Sequence, residues 1–265
     1  MREITFALVL LCALAGKARA LTPGELGRVA FEQHTGVEVS PDLVFRDQNN
    51  QPFRLGDHFG RQPIILVLGY YRCPMLCSLI NDGLIHALQE LPLSVGTDFQ
   101  IINISIDPKE TPAAAAQKKS EYLREYGRPK AARAWHFLVG DQGSIGKLAD
   151  QTGFRYAYDP QTTQYAHPSG VVVLTPKGKI SGYVFGVRLN ARELRDAIVA
   201  AQEEKSAPTI SQIFLLCYHY NPITGRYGGL VLTILRILSV AFVGGVGWWV
   251  FSMGRRSTGA GAQIN

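Results

Sequence analysis

Four cysteines and six histidines stand in this chain of 265 residues. Two of the cysteines share one short motif, Cys73-Pro74-Met75-Leu76-Cys77. A spacing of four residues puts both sulfurs on one face of a helix. At a helix start, unsatisfied N–H groups and the positive dipole end favour thiolate over thiol. Such a pair closes as a disulfide or holds one soft metal ion. A purely structural pair is the plainer account. It fits less well where an apolar run meets a helix start, with Pro74 suited to the first turn.

Two thiolates do not complete a zinc site, so a metal here needs a ligand from a distant segment. His34, His58 and His86 carry no context beyond a surface position, and His136 reads as a packing residue in a strand. His167 differs, because Tyr165-Ala166-His167-Pro168-Ser169-Gly170 is a turn just ahead of an apolar strand. Two thiolates and an imidazole form a soft, low-coordinate set suited to copper, Cu(I) above all. Spacing alone leaves open whether His167 is a ligand. Cys217 and His219 form a second soft-donor pair, but a lone Cys-x-His lacks the ligands to specify a metal. With Tyr218, Tyr220 and Tyr227 that segment reads first as an aromatic belt at a membrane surface.

The elements that must position these residues follow from apolar patterning. Ile64 to Tyr71 is a continuous apolar run, as in a strand buried on both faces. A helix follows, with Ile80, Leu84, Leu88 and Leu91 at helical spacing. Phe99 to Ile106 predicts a second buried strand, Thr111-Pro112 opens a helix that ends at Gly127, and Trp135 to Val139 predicts a third strand. A short helix is expected over 144–152, then strands over 171–175 and 180–187 joined by Pro176-Lys177-Gly178-Lys179. Asn190 and Glu193 resemble a capping box for a last helix whose inner face is Leu194, Ile198 and Ala201. Residues 21–60 read as an irregular lead-in with short strands around Leu43 to Phe45. Strands alternating with helices and closing on a hairpin imply an α/β fold, a central mixed sheet flanked by helices. The thioredoxin arrangement satisfies this order, and so do other α/β sandwiches.

Composition excludes little. The hydrophobic fraction is 46% and the net charge +6, but basic residues occur in pairs at most, so no nucleic-acid groove is expected. Residues 1–20 read as a signal peptide: Arg2, an apolar run from Ile4 to Gly16, and Ala18-Arg19-Ala20. Residues 230–253 read as a transmembrane helix. Arg236 would snorkel to one interface, Trp248 and Trp249 would sit at the other, and Arg255-Arg256 would mark the cytoplasmic side. Between them, residues 21–205 form the folded domain and 206–229 a juxtamembrane segment, with 254–265 as a cytoplasmic tail. The domain is then expected outside the cytoplasm, where thiols meet oxidants.

Tyr70-Tyr71-Arg72-Cys73-Pro74-Met75-Leu76-Cys77 closely resembles the cysteine motif of the Sco/SenC family, copper chaperones for the dinuclear copper centre of cytochrome c oxidase. Ser105 to Pro112 resembles that family's acidic loop, Trp135 to Gly140 its next strand, and His167 falls where its histidine ligand precedes a strand. The resemblance spans about residues 40–205. It implies a thioredoxin-like fold with Cys73, Cys77 and His167 as copper ligands and Asp107 as a supporting residue near them. It implies a metallochaperone rather than an enzyme, with the copper-receiving subunit of cytochrome c oxidase as partner. The alternative is a thiol–disulfide reductase that keeps the acceptor's cysteines reduced, which needs only Cys73 and Cys77. Two features depart from the family pattern. The acidic loop is one residue short, with Glu110 where Asp is usual. The anchor is C-terminal, as in a bacterial subgroup, which implies a single-pass inner-membrane protein with its domain in the periplasm.

Overall fold

The computed structural model describes residues 29–72, 76–160, 163–186 and 188–207, with residues 237–239, 242 and 245 beyond them, and of residues 76–81 the backbone alone. Among the described residues eleven strands occur: β1 (Ala30–Phe31), β2 (Val44–Asp47), β3 (Pro52–Arg54), β4 (Ile64–Gly69), β5 (Gln100–Ser105), β6 (Trp135–Val139), β7 (Phe154–Arg155), β8 (Ala157–Asp159), β9 (Gln164–Ala166), β10 (Gly170–Leu174) and β11 (Ile180–Phe185). The α-helices of the same unit are α1 (Leu76–Glu90), α2 (Pro112–Tyr126), α3 (Gln142–Gln151) and α4 (Ala191–Gln202).

Seven strands form one sheet in the order β11-β10-β4-β5-β6-β2-β3. The apolar runs behave as their composition demands. β4, β5 and β6 lie parallel at the centre, while β10 joins β4, and β2 joins β6, antiparallel. Alternation along β4 divides the core in two. Ile65 and Val67 face a layer containing Leu84, Leu88, Ala115, Tyr122, Leu194 and Ile198 from α1, α2 and α4. Ile64, Leu66 and Leu68 face Ile145 and Leu148 of α3 together with Phe45 and Phe154. The sheet is thus mixed and covered on both faces, in agreement with the thioredoxin-like reading.

The helix boundaries obey their caps. Thr111 accepts from the N–H of Ala114 at 3.3 Å, and Gly127 ends α2 at φ 74, where a side chain would be strained. Asn190 accepts from the N–H groups of Arg192 and Glu193 at 2.9 and 3.2 Å to start α4.

The lead-in is more ordered than its sequence suggests. β2 and β3 pair as a hairpin around Asn50, which takes a positive φ of 61, and they complete one edge of the sheet. The other edge, β11, is lined by chain as well. Gly36 N–H donates to Ile180 O at 2.8 Å, Ile180 N–H to Val37 O at 2.9 Å, and Ala207 N–H to Ser181 O at 2.9 Å. The β8–β9 hairpin, absent from the sequence reading, stands apart from the main sheet and leads directly to His167.

The chain divides into two compact units, 1–209 and 210–265. Among the described residues no helix is long and apolar enough to cross a membrane. The signal peptide 1–20 lies outside the described residues, and so does nearly all of the transmembrane segment 230–253. Residues 237–239, 242 and 245 of that segment are helical, with Ile237, Leu238 and Phe242 exposed.

Candidate metal centre

β4 ends at Gly69, and its carbonyl accepts from the N–H of Ile106 at 2.7 Å, so the exits of β4 and β5 are fastened together. Tyr70 and Tyr71 follow, both buried, and Arg72 is exposed. Cys73 lies outside the described residues. Cys77 falls in the first turn of α1, as a strand-to-helix junction requires, with its side chain undescribed. Tyr71 anchors the strand exit from below. Its hydroxyl lies 2.7 Å from Leu138 O and 3.2 Å from Asn103 O, and burial pushes its ionisation well above the ordinary tyrosine range.

Above it, the Glu110 carboxylate accepts from the N–H of Tyr71 at 2.8 Å, the N–H of Arg72 at 2.7 Å and the hydroxyl of Ser105 at 2.6 Å. Glu110 is only 7% exposed. The sequence reading singled out Asp107 as the supporting residue and noted Glu110 only as a departure from the family's loop. Both belong to the loop between β5 and α2, and only Glu110 reaches the backbone that leads to Cys73. A second acidic residue close behind Ser105 was the available signal. The N–H groups it serves carry no side-chain signature.

His167 follows β9 and is half-buried. A Cβ added at Gly69 would lie 4.0 Å from its Cε1, so the imidazole sits against the last residue of β4, four positions before Cys73. Its Nδ1 lies 3.1 Å from Pro168 O, a contact in which Nδ1–H donates and the lone pair resides on Nε2. Tyr70 and Phe154 flank the ring, each with its centroid 5.9 Å away. Tyr165, just before it, stacks near Tyr70 and Tyr158, and burial, then the hydrogen-bonded Asp107 carboxylate, pushes its phenol up to about 12. The Nζ of Lys109 lies 5.7 Å over the Tyr158 ring. An imidazole thus comes up against the strand end that feeds the cysteine motif.

The other histidines lie elsewhere. His34 engages Gln151 and Glu32, and His86 is exposed on α1. His58 stacks on Phe53 at 3.9 Å and meets His136 at 4.8 Å. Burial first, then His58 and Lys119, lower His136 to about 4. Cys217 and His219 lie outside the described residues. Among the described residues no group of three or more His, Cys, Asp or Glu could hold a metal ion. Cys73 and the Cys77 side chain are not among those residues. A cavity of about 560 Å³ opens beside Glu110, lined by Phe45, Arg46, Pro108, Gly140 and Asp141 among others.

A model of the SCO1/SenC family matches residues 32–202. Among solved structures, a protein of Aquifex aeolicus VF5, provisionally described as an electron transfer protein, is 29% identical with a TM-score of 0.57. The match covers 64% of this chain and 95% of that one. BsSco, described as having a disulfide switch and as a member of the Sco family of cytochrome c oxidase assembly proteins, is 19% identical with a TM-score of 0.51, over 64% of this chain and 96% of its own. Copper-bound ScoI of Arabidopsis thaliana is 19% identical with a TM-score of 0.49, over 61% and 96%. Curated proteins give no match.

Proposed function

This chain belongs to the SCO1/SenC family, and from that premise we propose that it is a copper metallochaperone. Copper is its cargo, held by Cys73, Cys77 and His167. The observation that carries this reading is the His167 imidazole lying against Gly69 with its tautomer set by Pro168. It supplies a third ligand where two thiolates alone fall short. Three ligands leave a position for an incoming thiolate or imidazole of the acceptor, so copper passes by ligand exchange rather than by release to water.

The acceptor in this proposal is the dinuclear copper centre of cytochrome c oxidase, and the description of BsSco names assembly of that oxidase. Delivery takes place outside the cytoplasm. Residues 1–20 act as a signal peptide, 230–253 as a single membrane-spanning anchor, and the folded domain faces the periplasm of a bacterial cell. A thiol–disulfide reductase, the alternative, would need Cys73 and Cys77 and have no use for the imidazole.

The test is copper stoichiometry and X-ray absorption on the reduced whole chain in detergent. One copper with sulfur and nitrogen scattering is expected, lost in Cys73→Ser and Cys77→Ser; absence of sulfur scattering refutes the reading. His167→Ala should weaken copper binding by at least about 10-fold, the lower end of what losing even an outer-sphere partner costs. Its Cys73–Cys77 disulfide should still form and be reduced. Normal oxidase assembly by His167→Ala cells at low copper would transfer the case to thiol reduction.

A further inference from the structure

Glu110 is a carboxylate almost withdrawn from water, and its three donors are unusual company. Two are consecutive backbone N–H groups, those of Tyr71 and Arg72, 39 and 38 positions away in the chain. The third is the Ser105 hydroxyl at the end of β5. Backbone beyond a strand end normally finds its partners in a ladder or in water. Here β4 has already stopped at Gly69, and the N–H groups of the second and third residues beyond it point at one side chain. A bidentate carboxylate on consecutive N–H groups fixes both peptide planes at once, and charge-assisted bonds of 2.6 to 2.8 Å are the short, strong kind. The two residues so held are the last before Cys73. The adjacent residue of the same loop faces the histidine side: Lys109 lies over Tyr158 of the hairpin that leads to His167.

We propose that Glu110 is a positioning residue of the metal centre: its carboxylate holds the peptide planes of Tyr71 and Arg72 and so sets where Cys73 stands relative to Cys77 and His167. The inference rests on the copper reading above for its consequence, but the device itself is independent of the metal. Glutamine keeps the shape, yet offers a single acceptor oxygen and places an NH₂ where one N–H must be received. Aspartate keeps the charge and falls short by one methylene.

The experiment uses the whole chain in detergent as wild type, Glu110→Gln, Glu110→Asp and Ser181→Ala. Ser181 donates to Lys205 O at 2.7 Å, remote from the cysteine motif, and controls for simple loss of a buried hydrogen bond. Three quantities are read. Amide hydrogen exchange at Tyr71 and Arg72 in the metal-free protein should speed up at least tenfold in Glu110→Gln. Closure of the Cys73–Cys77 disulfide by oxidised glutathione should slow severalfold. In that reaction one thiolate forms the mixed disulfide and expels glutathione thiolate, and the other then displaces the second. Cu(I) affinity, read by competition with a chromophoric chelator, should fall between about 10-fold and 100-fold, the range for partners that orient ligands, with Glu110→Asp between the two. Ser181→Ala should leave all three unchanged. If Glu110→Gln moves none of the three, or moves them no more than Ser181→Ala, the proposal is overturned. If the wild type binds no copper through sulfur while exchange and disulfide closure still respond to Glu110, the copper reading fails and the positioning role stands for a redox pair.

Discussion

Lowering the pH should destabilise this domain through one imidazole. His136 lies on β6, half-buried, with His58 against it at 4.8 Å, Phe53 beside both and Lys119 nearby. Burial is the first cause that lowers it, from 6.5 to about 4, and the neighbouring cations add to it while Asp47 opposes. A histidine whose folded value is depressed binds its proton more readily in the unfolded chain. Stability is therefore fully present above the unfolded value of 6.5 and is lost as the pH falls through the window from 6.5 to about 4. Integrating proton binding between roughly pH 7.5 and pH 5 for these two values gives a loss of about 2 kcal/mol. A folded value one unit higher would still give roughly 1.6 kcal/mol. His58 is lowered too, chiefly by burial, and adds a loss of the same sign. The assay is urea unfolding of the compact unit ending at Thr209 at both pH values, as wild type and His136→Phe. The aromatic replacement keeps the packing against Phe53 and cannot titrate. The variant should show about 2 kcal/mol less acid destabilisation than wild type. Equal pH losses in the two proteins, or an NMR titration of His136 centred near 6.5, would refute the reasoning.

Further outcomes follow from single contacts. Asn103→Ala removes the acceptor 2.7 Å from the indole N–H of fully buried Trp135, and should cost about 1–3 kcal/mol in urea unfolding because that donor is left unsatisfied. Gly153 has φ 63, and an added Cβ would lie 1.9 Å from Glu32 O. Gly153→Ala should therefore break the β1–β7 pairing and lower the thermal midpoint by several degrees, a cost of at least roughly 1–2 kcal/mol. Thr111→Ala removes the cap of α2 and should cost about 1 kcal/mol, measured the same way. The deeper Leu88→Ala should cost about 2–5 kcal/mol, since the residue is fully buried between α1 and the sheet.

The legible parts of this chain were those whose signal is local. The run from Ile64 to Leu68 is apolar on both faces because helices cover both faces, and Thr111-Pro112 with Gly127 marks the ends of α2 by cap chemistry alone. The cysteine motif and His167 were readable as donors by residue type, and the family resemblance supplied their grouping. What escaped the reading was set by tertiary partners. β2 falls among the short strands expected around Leu43 to Phe45, whereas β3 opens on Pro52 without a clean alternation and is a strand because β2 offers it an edge. The β8–β9 hairpin is three residues on each side, too short to show a period. Glu110 looked like one more acidic residue in a polar loop, because its role lies in two main-chain N–H groups nearly forty positions away.

The lined edges of the sheet carry a consequence for recognition. β11 has the segment around Val37 on its outer side and Ala207 beyond, and β3 is only three residues long and begins with an imino acid that cannot donate. At Ile180, at Ser181 and along β3, the addition of a partner's strand to an open edge is thus disfavoured. The same arrangement withholds a template for self-stacking into fibres, a hazard for a chain with so many consecutive β-branched residues in Val171, Val172 and Val173.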